Sequence, residues 1–376
     1  MAIGTGRLPP LQLRPNTTPS RSTSPYHLAW TTIAALSAPP YPPVQPTDRP
    51  SKIQDVARAA GVSAMTVSRA INHPERLNPE TLQRVRDAIA SMRYVPNALA
   101  SGLRLSRARL VAALLPTLVG PVFQELIQSL DHALNQHGYQ LMIGRTGYDA
   151  AQEADLIRAI IQRRPDGIVM IGTAASEEGR ALLQASRIPV VETWDLADTA
   201  IDMLVGFSHH AIGAAVAEHF VAKGHRQLGM VSGDDARARV RVAAYAQAAQ
   251  AAGLPEVTVA FTPAPSTLGG GRRGLADVLL KHPEVTAVFC SSDTLALGAL
   301  IEAQHQGLRV PQDLAVVGLG DQEFAKDTAP PLTTVRLDGT RIGQLAADMI
   351  VARSLDQPVD AHHVDIGFAI TQRSSS

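Results

Sequence analysis

The sequence predicts two folds in one chain: an all-α head built on a helix-turn-helix, and an α/β core of two doubly wound parallel-sheet subdomains. Three observations carry this. Residues 51–92 hold two short helical patterns joined by a glycine turn, with a third helix after them. From Leu110 onward, short apolar runs alternate with amphipathic helical patterns. Those runs fall into two successive series, each sufficient for a sheet of its own.

In the head, Ile53 to Ala60 places Ile53, Val56, Ala57 and Ala60 on one helical face. Gly61 supplies the freedom for a sharp turn, and Val62 can pack back into the helix pair. Ser63 is the expected N-cap of a second helix, Ala64 to Asn72, that buries Val67 and Ile71. Ala64, Met65, Thr66, Ser68 and Arg69 are then left facing outward. A short capped helix presenting hydroxyls and an arginine suits a major-groove reader. The third helix runs from Pro79, behind an Asn78 cap, to Met92, with Leu82, Val85, Ile89 and Met92 inward. Residues 97–105 follow as a short candidate helix.

The core pattern opens with strand Leu110–Pro116, helix Val122–His137, strand Tyr139–Ile143 and helix Ala151–Arg163. Strand Gly167–Ile171, helix Glu178–Ala185 and strand Pro189–Glu192 follow. A second series starts with strand Met203–Phe207, helix Ala211–Lys223, strand Gln227–Ser232 and helix Val240–Ala252. It continues through strand Val257–Phe261, helix Gly274–Lys281, strand Ala287–Cys290, helix Thr294–Gln306 and strand Ala315–Gly318, and ends with helix Thr340–Ser354. Strands apolar throughout and alternating with helices belong to parallel sheets covered on both faces. Ligands in such sheets lie outside the carboxyl ends of the strands, here in a cleft between two subdomains.

Composition narrows the class. A chain of 376 residues with 45% apolar content can bury two or three domains. The net formal charge is zero, but residues 51–110 carry ten Lys/Arg against four Asp/Glu, while residues 111–376 carry 20 against 29. A basic head on an acidic body fits a polyanion-binding module joined to something else. The single cysteine, Cys290, excludes an internal disulfide and sits in an apolar run as an inert core thiol. No run approaches the eighteen apolar residues of a membrane span. Residues 28–38, LAWTTIAALSA, come nearest to an export signal, but their Pro/Ser/Thr-rich flank does not fit one, so a cytoplasmic location is expected.

Other motifs carry little. Leu268-Gly269-Gly270-Gly271 lacks the Lys-Ser/Thr of a phosphate-binding loop and reads as a flexible connection. The adjacent pairs His209-His210 and His362-His363 cannot both face one metal, as an i, i+4 pair can. With no catalytic constellation, no metal and no cofactor are expected, and the chain is read as a non-enzyme. Residues 1–50, with Pro39-Pro40, Pro42-Pro43, Pro46 and Pro50, read as a disordered extension, one that an over-long assigned start could have added.

The stretch IQDVARAAGVSAMTVSRAIN resembles the helix-turn-helix of the lactose-repressor (LacI) family of bacterial regulators. Tyr94-Val95-Pro96-Asn97-Ala98-Leu99-Ala100 resembles that family's hinge, and the likeness continues through almost all of residues 51–370. It implies a head at 51–95, a hinge and linker at 96–107, and a two-lobed effector-binding and dimerisation core at 108–376, built like periplasmic sugar-binding proteins. By position, Ala64, Met65 and Arg69 would touch base edges, with Arg69 able to donate two parallel bonds to a guanine. Thr66, Ser68, Asn72, Thr81, Tyr94 and Asn97 match phosphate-contacting positions. Leu103 matches the hinge leucine that wedges into the minor groove, beside Arg104 for the phosphates. Ser101 and Gly102 depart from the family pattern, and Gly102 should weaken a hinge helix by roughly 0.5–1 kcal/mol.

For the effector, the resemblance implies an apolar platform at Val122-Phe123, an arginine at Arg241 near Arg237, and acids at Asp293 and Asp321 after two strands. Arginine suits a carboxylate, and acids suit sugar hydroxyls. PVVETWDL (189–196), MLVGFSHHAIG (203–213) and AKGHRQLGMV (222–231) look like the gluconate-operon repressor branch, which makes gluconate or a related sugar acid the leading effector. Ser208 stands where many relatives have Asp, and Gly320 where others hold an acid. The expected protein is thus a homodimeric repressor of sugar-acid catabolism genes that binds a pseudopalindromic double-stranded DNA operator, with no membrane partner. A transport sugar-binding protein and a sugar-acid enzyme on an α/β scaffold remain the alternatives.

Overall fold

The computed structural model describes residues 51–95, 108–118, 123–197 and 199–376. Within them lie a helical head and, as a separate unit, a two-lobed core. The proline-rich segment 1–50 and the positions Asn97, Ser101, Gly102, Leu103, Arg104 and Val122 lie outside the described residues.

In the head, α1 (Ile53–Ala60) buries Val56, Ala57 and Ala60, and the Asp55 carboxylate accepts from the Lys52 amide at 2.9 Å. Gly61 closes the helix at φ 65°, the left-handed conformation that terminates a helix at least cost in glycine. The Ser63 hydroxyl caps α2 (Ala64–Asn72) by accepting from Thr66 N at 3.2 Å. Val67 and Ala70 are the buried pair of α2; Ile71, expected inward, is half-buried and packs at the edge. Asn78 Oδ1 accepts from Thr81 N at 2.7 Å to start α3 (Pro79–Ser91), whose Val85 and Ala88 complete the core.

The core begins with β1 (Leu110–Leu115), α4 (Gln124–Gln136), β2 (Gln140–Arg145), α5 (Ala150–Ile161), β3 (Gly167–Ile171), α6 (Glu177–Ser186), β4 (Val190–Thr193) and β5 (Met203–Gly206). It goes on through α7 (His209–Ala222), β6 (Leu228–Gly233), α8 (Ala236–Ala251), β7 (Thr258–Thr262), α9 (Leu268–Lys281), β8 (Ala287–Cys290), α10 (Asp293–His305), β9 (Ala315–Leu319) and β10 (Thr333–Arg336). Helix α11 (Gly339–Ser354), β11 (His363–Asp365) and β12 (Ala369–Thr371) end it. The sheet orders are β11-β5-β4-β3-β1-β2 and β12-β10-β9-β8-β6-β7. Central strands such as β3 and β9 are buried along their whole length, because helices cover both faces.

Three features differ from the sequence reading. First, β5, expected to open the second series, pairs with β4 in the first sheet, and the chain crosses between lobes three times: β10 still belongs to the second sheet, α11 leads back to β11 in the first, and β12 returns antiparallel to β10. Strands of three residues with few apolar positions give almost no periodic signal. Second, α8 starts at Ala236, four residues before the expected Val240, because the Asp235 carboxylate accepts from Ala238 N at 2.9 Å and caps it. Third, Leu268–Gly271 is no flexible connection but the first turn of α9, capped by Thr267. The glycines there permit contact between helix backbones: a Cβ on Gly271 would lie 2.2 Å from the Leu295 carbonyl oxygen of α10, and one on Gly298 would lie 2.2 Å from the Leu268 carbonyl oxygen.

Candidate functional site

On the head, Met65 is 56% exposed at the start of α2, and Arg69 is exposed one turn later on the same helix. Ala64 is half-buried and packs on the head core. Other expected contact residues spend part of their bonding locally. The Thr66 and Ser63 hydroxyls are 2.9 Å apart, and Asn72 Nδ2 donates to the Ser68 carbonyl at 3.0 Å. The Thr81 amide is taken by the Asn78 cap, and Tyr94 packs against the head core.

In the core, the strand ends of the two lobes face one another across a cleft. Phe123, Arg237 and Arg241 line it together, joined by Trp194, His209 and Gln322, among others. The cavity at this point is about 90 Å3. It is flanked by one of about 760 Å3 that shares Trp194 and Gln322, and by one of about 460 Å3 that shares Tyr148, Asp235 and Arg237. An edge-to-face chain forms one wall: Phe123 to Trp194 at 5.1 Å, Trp194 to Phe207 at 5.4 Å, and Phe207 to His209 at 5.0 Å. The Arg237 guanidinium lies 5.8 Å from the Phe123 centroid. Arg237 and Arg241 project from one face of α8 because they are four residues apart.

The electrostatics of this cleft are set by burial. Arg241 Nη1 donates to His209 Nδ1 at 2.8 Å, and His209 Nε2 meets the Trp194 carbonyl oxygen at 3.1 Å. A guanidinium has no acceptor, so Nδ1 accepts and the proton sits on Nε2. Burial first, then the charges of Arg241 and Arg237, hold His209 down at about 2, so the ring stays neutral. Burial lowers Arg241 to about 10, which leaves it cationic at neutral pH. Burial likewise raises Asp195 and, with help from Asp235, Tyr148. Among the described residues, three buried polar atoms here have no protein partner: Arg237 Nη1, Arg241 Nε and Gln322 Oε1.

The two expected acids sit elsewhere. Asp293 has no exposed surface; its Oδ1 accepts from the Thr334 hydroxyl at 2.5 Å and its Oδ2 from Gln322 N at 2.7 Å. Burial pushes it up to about 6. Asp321 lines the 760 Å3 cavity and is held by Arg373 at 2.6 Å and Arg336 at 3.4 Å. Ser208 proves to be the N-cap of α7, accepting from Ala211 N at 3.1 Å. An aspartate at that position could cap equally well. Sequence reasoning missed Trp194, His209, Tyr148, Asp235 and Gln322. Trp194, Asp235 and Gln322 follow strand ends, so the rule that pointed to Asp293 could have found them.

The description "Bacterial regulatory proteins, lacI family" matches residues 52–97, and "Periplasmic binding protein-like domain" matches residues 217–376. The HTH-type transcriptional regulator GntR of Pseudomonas aeruginosa is 34% identical over 333 residues, which is 88% of this chain and 96% of that protein. The chain belongs to the lacI family of bacterial regulatory proteins. This lacI-family regulator is also 30% identical to the ribose operon repressor of Escherichia coli over 86% of its own length and 99% of the other. Among solved structures, transcription regulator GntR from Chromobacterium violaceum matches with a TM-score of 0.68 at 35% identity, covering 71% of this chain and 99% of that one. A transcriptional regulator of the same family from Silicibacter pomeroyi matches at 0.82 with 29% identity, covering 87% and 99%. The chain is accordingly a DNA-binding transcriptional regulator and not an enzyme. Among the described residues, no helix is long and apolar enough to cross a membrane.

Proposed function

We propose that this regulator represses genes of sugar-acid catabolism and is controlled by gluconate, or a closely related aldonate, bound between the two lobes of the core. One observation carries the reading: two guanidinium donors, Arg237 Nη1 and Arg241 Nε, and one amide acceptor, Gln322 Oε1, lie buried in the same cleft without partners among the described residues. Unpaired buried donors of this kind are costly, and a carboxylate satisfies both at once. The lone acceptor asks for a hydroxyl. Asp235 and Asp195 close to the arginines bring the local charge back toward zero, which suits one carboxylate better than a phosphate dianion. The narrow 90 Å3 neck would hold the acid end, with the polyol tail running into the 460 Å3 cavity beside Tyr148. The GntR names of the similar regulators from Pseudomonas aeruginosa and Chromobacterium violaceum agree with this class.

On the DNA side, residues 51–95 would read a pseudopalindromic operator as a homodimer. Arg69, Met65 and Ala64 would touch base edges, and Thr66, Ser68, Asn72, Thr81, Tyr94 and Asn97 would hold phosphates. Leu103 and Arg104 would anchor the hinge at 96–107, and residues 108–376 would bind effector and partner subunit. The effector acts on operator affinity only through its preference for one lobe arrangement. Calorimetry of the full chain against gluconate, 2-ketogluconate and idonate, with sorbitol and ribose alongside, tests the ligand class. A sugar acid should bind at least about tenfold more tightly than the neutral compounds. Equal or better binding of sorbitol or ribose would overturn it.

A further inference from the structure

We propose that His209 is the positioning residue that aims Arg241 at the effector, a role that rests on the sugar-acid reading of the cleft. His209 opens α7 directly after β5 leaves the first sheet, and it is 3% exposed. Its two nitrogens face different parts of the core. Nε2–H donates to the carbonyl of Trp194, the residue that follows β4 of the first lobe, at 3.1 Å. Nδ1 accepts from Arg241 of α8, the helix that follows β6 of the second lobe, at 2.8 Å. The ring therefore fixes one edge of the guanidinium fork, while the opposite-facing Nε is left buried and unpartnered.

The backbone below does not give. A Cβ on Gly213 of α7 would lie 2.4 Å from the Arg241 carbonyl oxygen, so α7 and α8 touch main chain to main chain at this point. Phe207 holds the ring edge-on at 5.0 Å. With the helices and ring fixed, the guanidinium direction follows from the hydrogen bond. A neutral acceptor also has a consequence that an acid lacks. A carboxylate at position 209 would neutralise Arg241 and compete with the ligand, whereas imidazole orients the cation and leaves its charge for the effector.

Three variants separate these features: H209N keeps a neutral acceptor where Nδ1 stands, H209D puts a charged one there, and H209F keeps an aromatic ring with no acceptor. In calorimetry of the full chain with gluconate, H209N should bind within about threefold of wild type, and H209F and H209D at least about tenfold more weakly. H209F binding like wild type, or H209N falling as far as H209F, overturns the proposal. A wild-type chain that binds no sugar acid retires the ligand class alone, because crystal structures of ligand-free H209F and H209N read the arginine directly. Arg241 displaced in H209F and in place in H209N upholds the positioning role; Arg241 unmoved in H209F overturns it.

Discussion

The Thr334 hydroxyl donates to Asp293 Oδ1 at 2.5 Å, which ties β10 to the first residue of α10 behind the cleft wall. The same carboxylate accepts from Gln322 N, whose side chain carries an unpartnered oxygen at the cleft. The folded-state pKa of Asp293 is pushed from 3.8 to about 6, chiefly by burial. With the folded value above the unfolded one, the stabilisation is fully present below pH 3.8 and is lost as pH rises through about 6. The stability gap between wild type and D293N should therefore move in favour of wild type on acidification, by about 1 kcal/mol from pH 7.5 to pH 5. Paired thermal melts across that range measure it, and a constant gap would reject the burial account.

Gluconate affinity should be nearly flat between pH 6.5 and 8.5, within about threefold. His209, held at about 2, is neutral across this window, and Arg241, at about 10, is charged. A sugar carboxyl ionises well below it. Calorimetry at three pH values checks this. A tenfold loss of affinity as pH rises through 7 would mean that the histidine titrates, contrary to its place between a guanidinium and a carbonyl.

Much of the fold was legible because buried parallel strands are apolar from end to end: β3 (Gly167–Ile171) and β8 (Ala287–Cys290) have the bounds their composition predicts. The turn and caps of the head were equally plain, since Gly61, Ser63 and Asn78 each have one local job. What escaped was non-local. His209 looked like half of an unusable histidine pair, and only the meeting of α7 with α8 gives it Arg241. Asp293 followed a strand end as a ligand-holding acid should, but Thr334, 41 residues on, and Gln322 turn its carboxylate inward. Gly269 to Gly271 read as loop because glycine weakens a helix; its use in letting two backbones touch is visible only with α10 in place.

These glycines give opposite predictions at neighbouring positions. G271A places a methyl 2.2 Å from the Leu295 carbonyl oxygen, a backbone atom that cannot step aside. It should destabilise the core by about 1–3 kcal/mol or more. At Gly269 the one close atom among the described residues is the far end of the Arg273 side chain, at 3.4 Å, so G269A should gain about 0.5–1 kcal/mol of helix stability. Urea denaturation of the two variants decides the matter; similar effects in both would mean that α9 and α10 do not meet as described.

Arg69 is exposed in the last turn of α2, one turn on from Met65 near the Ser63-capped start of the helix. A guanidinium there can pair with two acceptors of one guanine, whereas a contact to phosphate would be blind to sequence. The two roles separate in the measurement. R69A should weaken binding to a duplex selected in vitro by about 1–3 kcal/mol and relax preference at one base pair, with binding to random duplex little changed. R69K keeps the charge but loses the planar fork, so it should lose most of the same discrimination while retaining the salt dependence of binding. Anisotropy titrations on both duplexes at two salt concentrations read these quantities. A uniform loss on selected and random DNA would reassign Arg69 to the phosphate backbone.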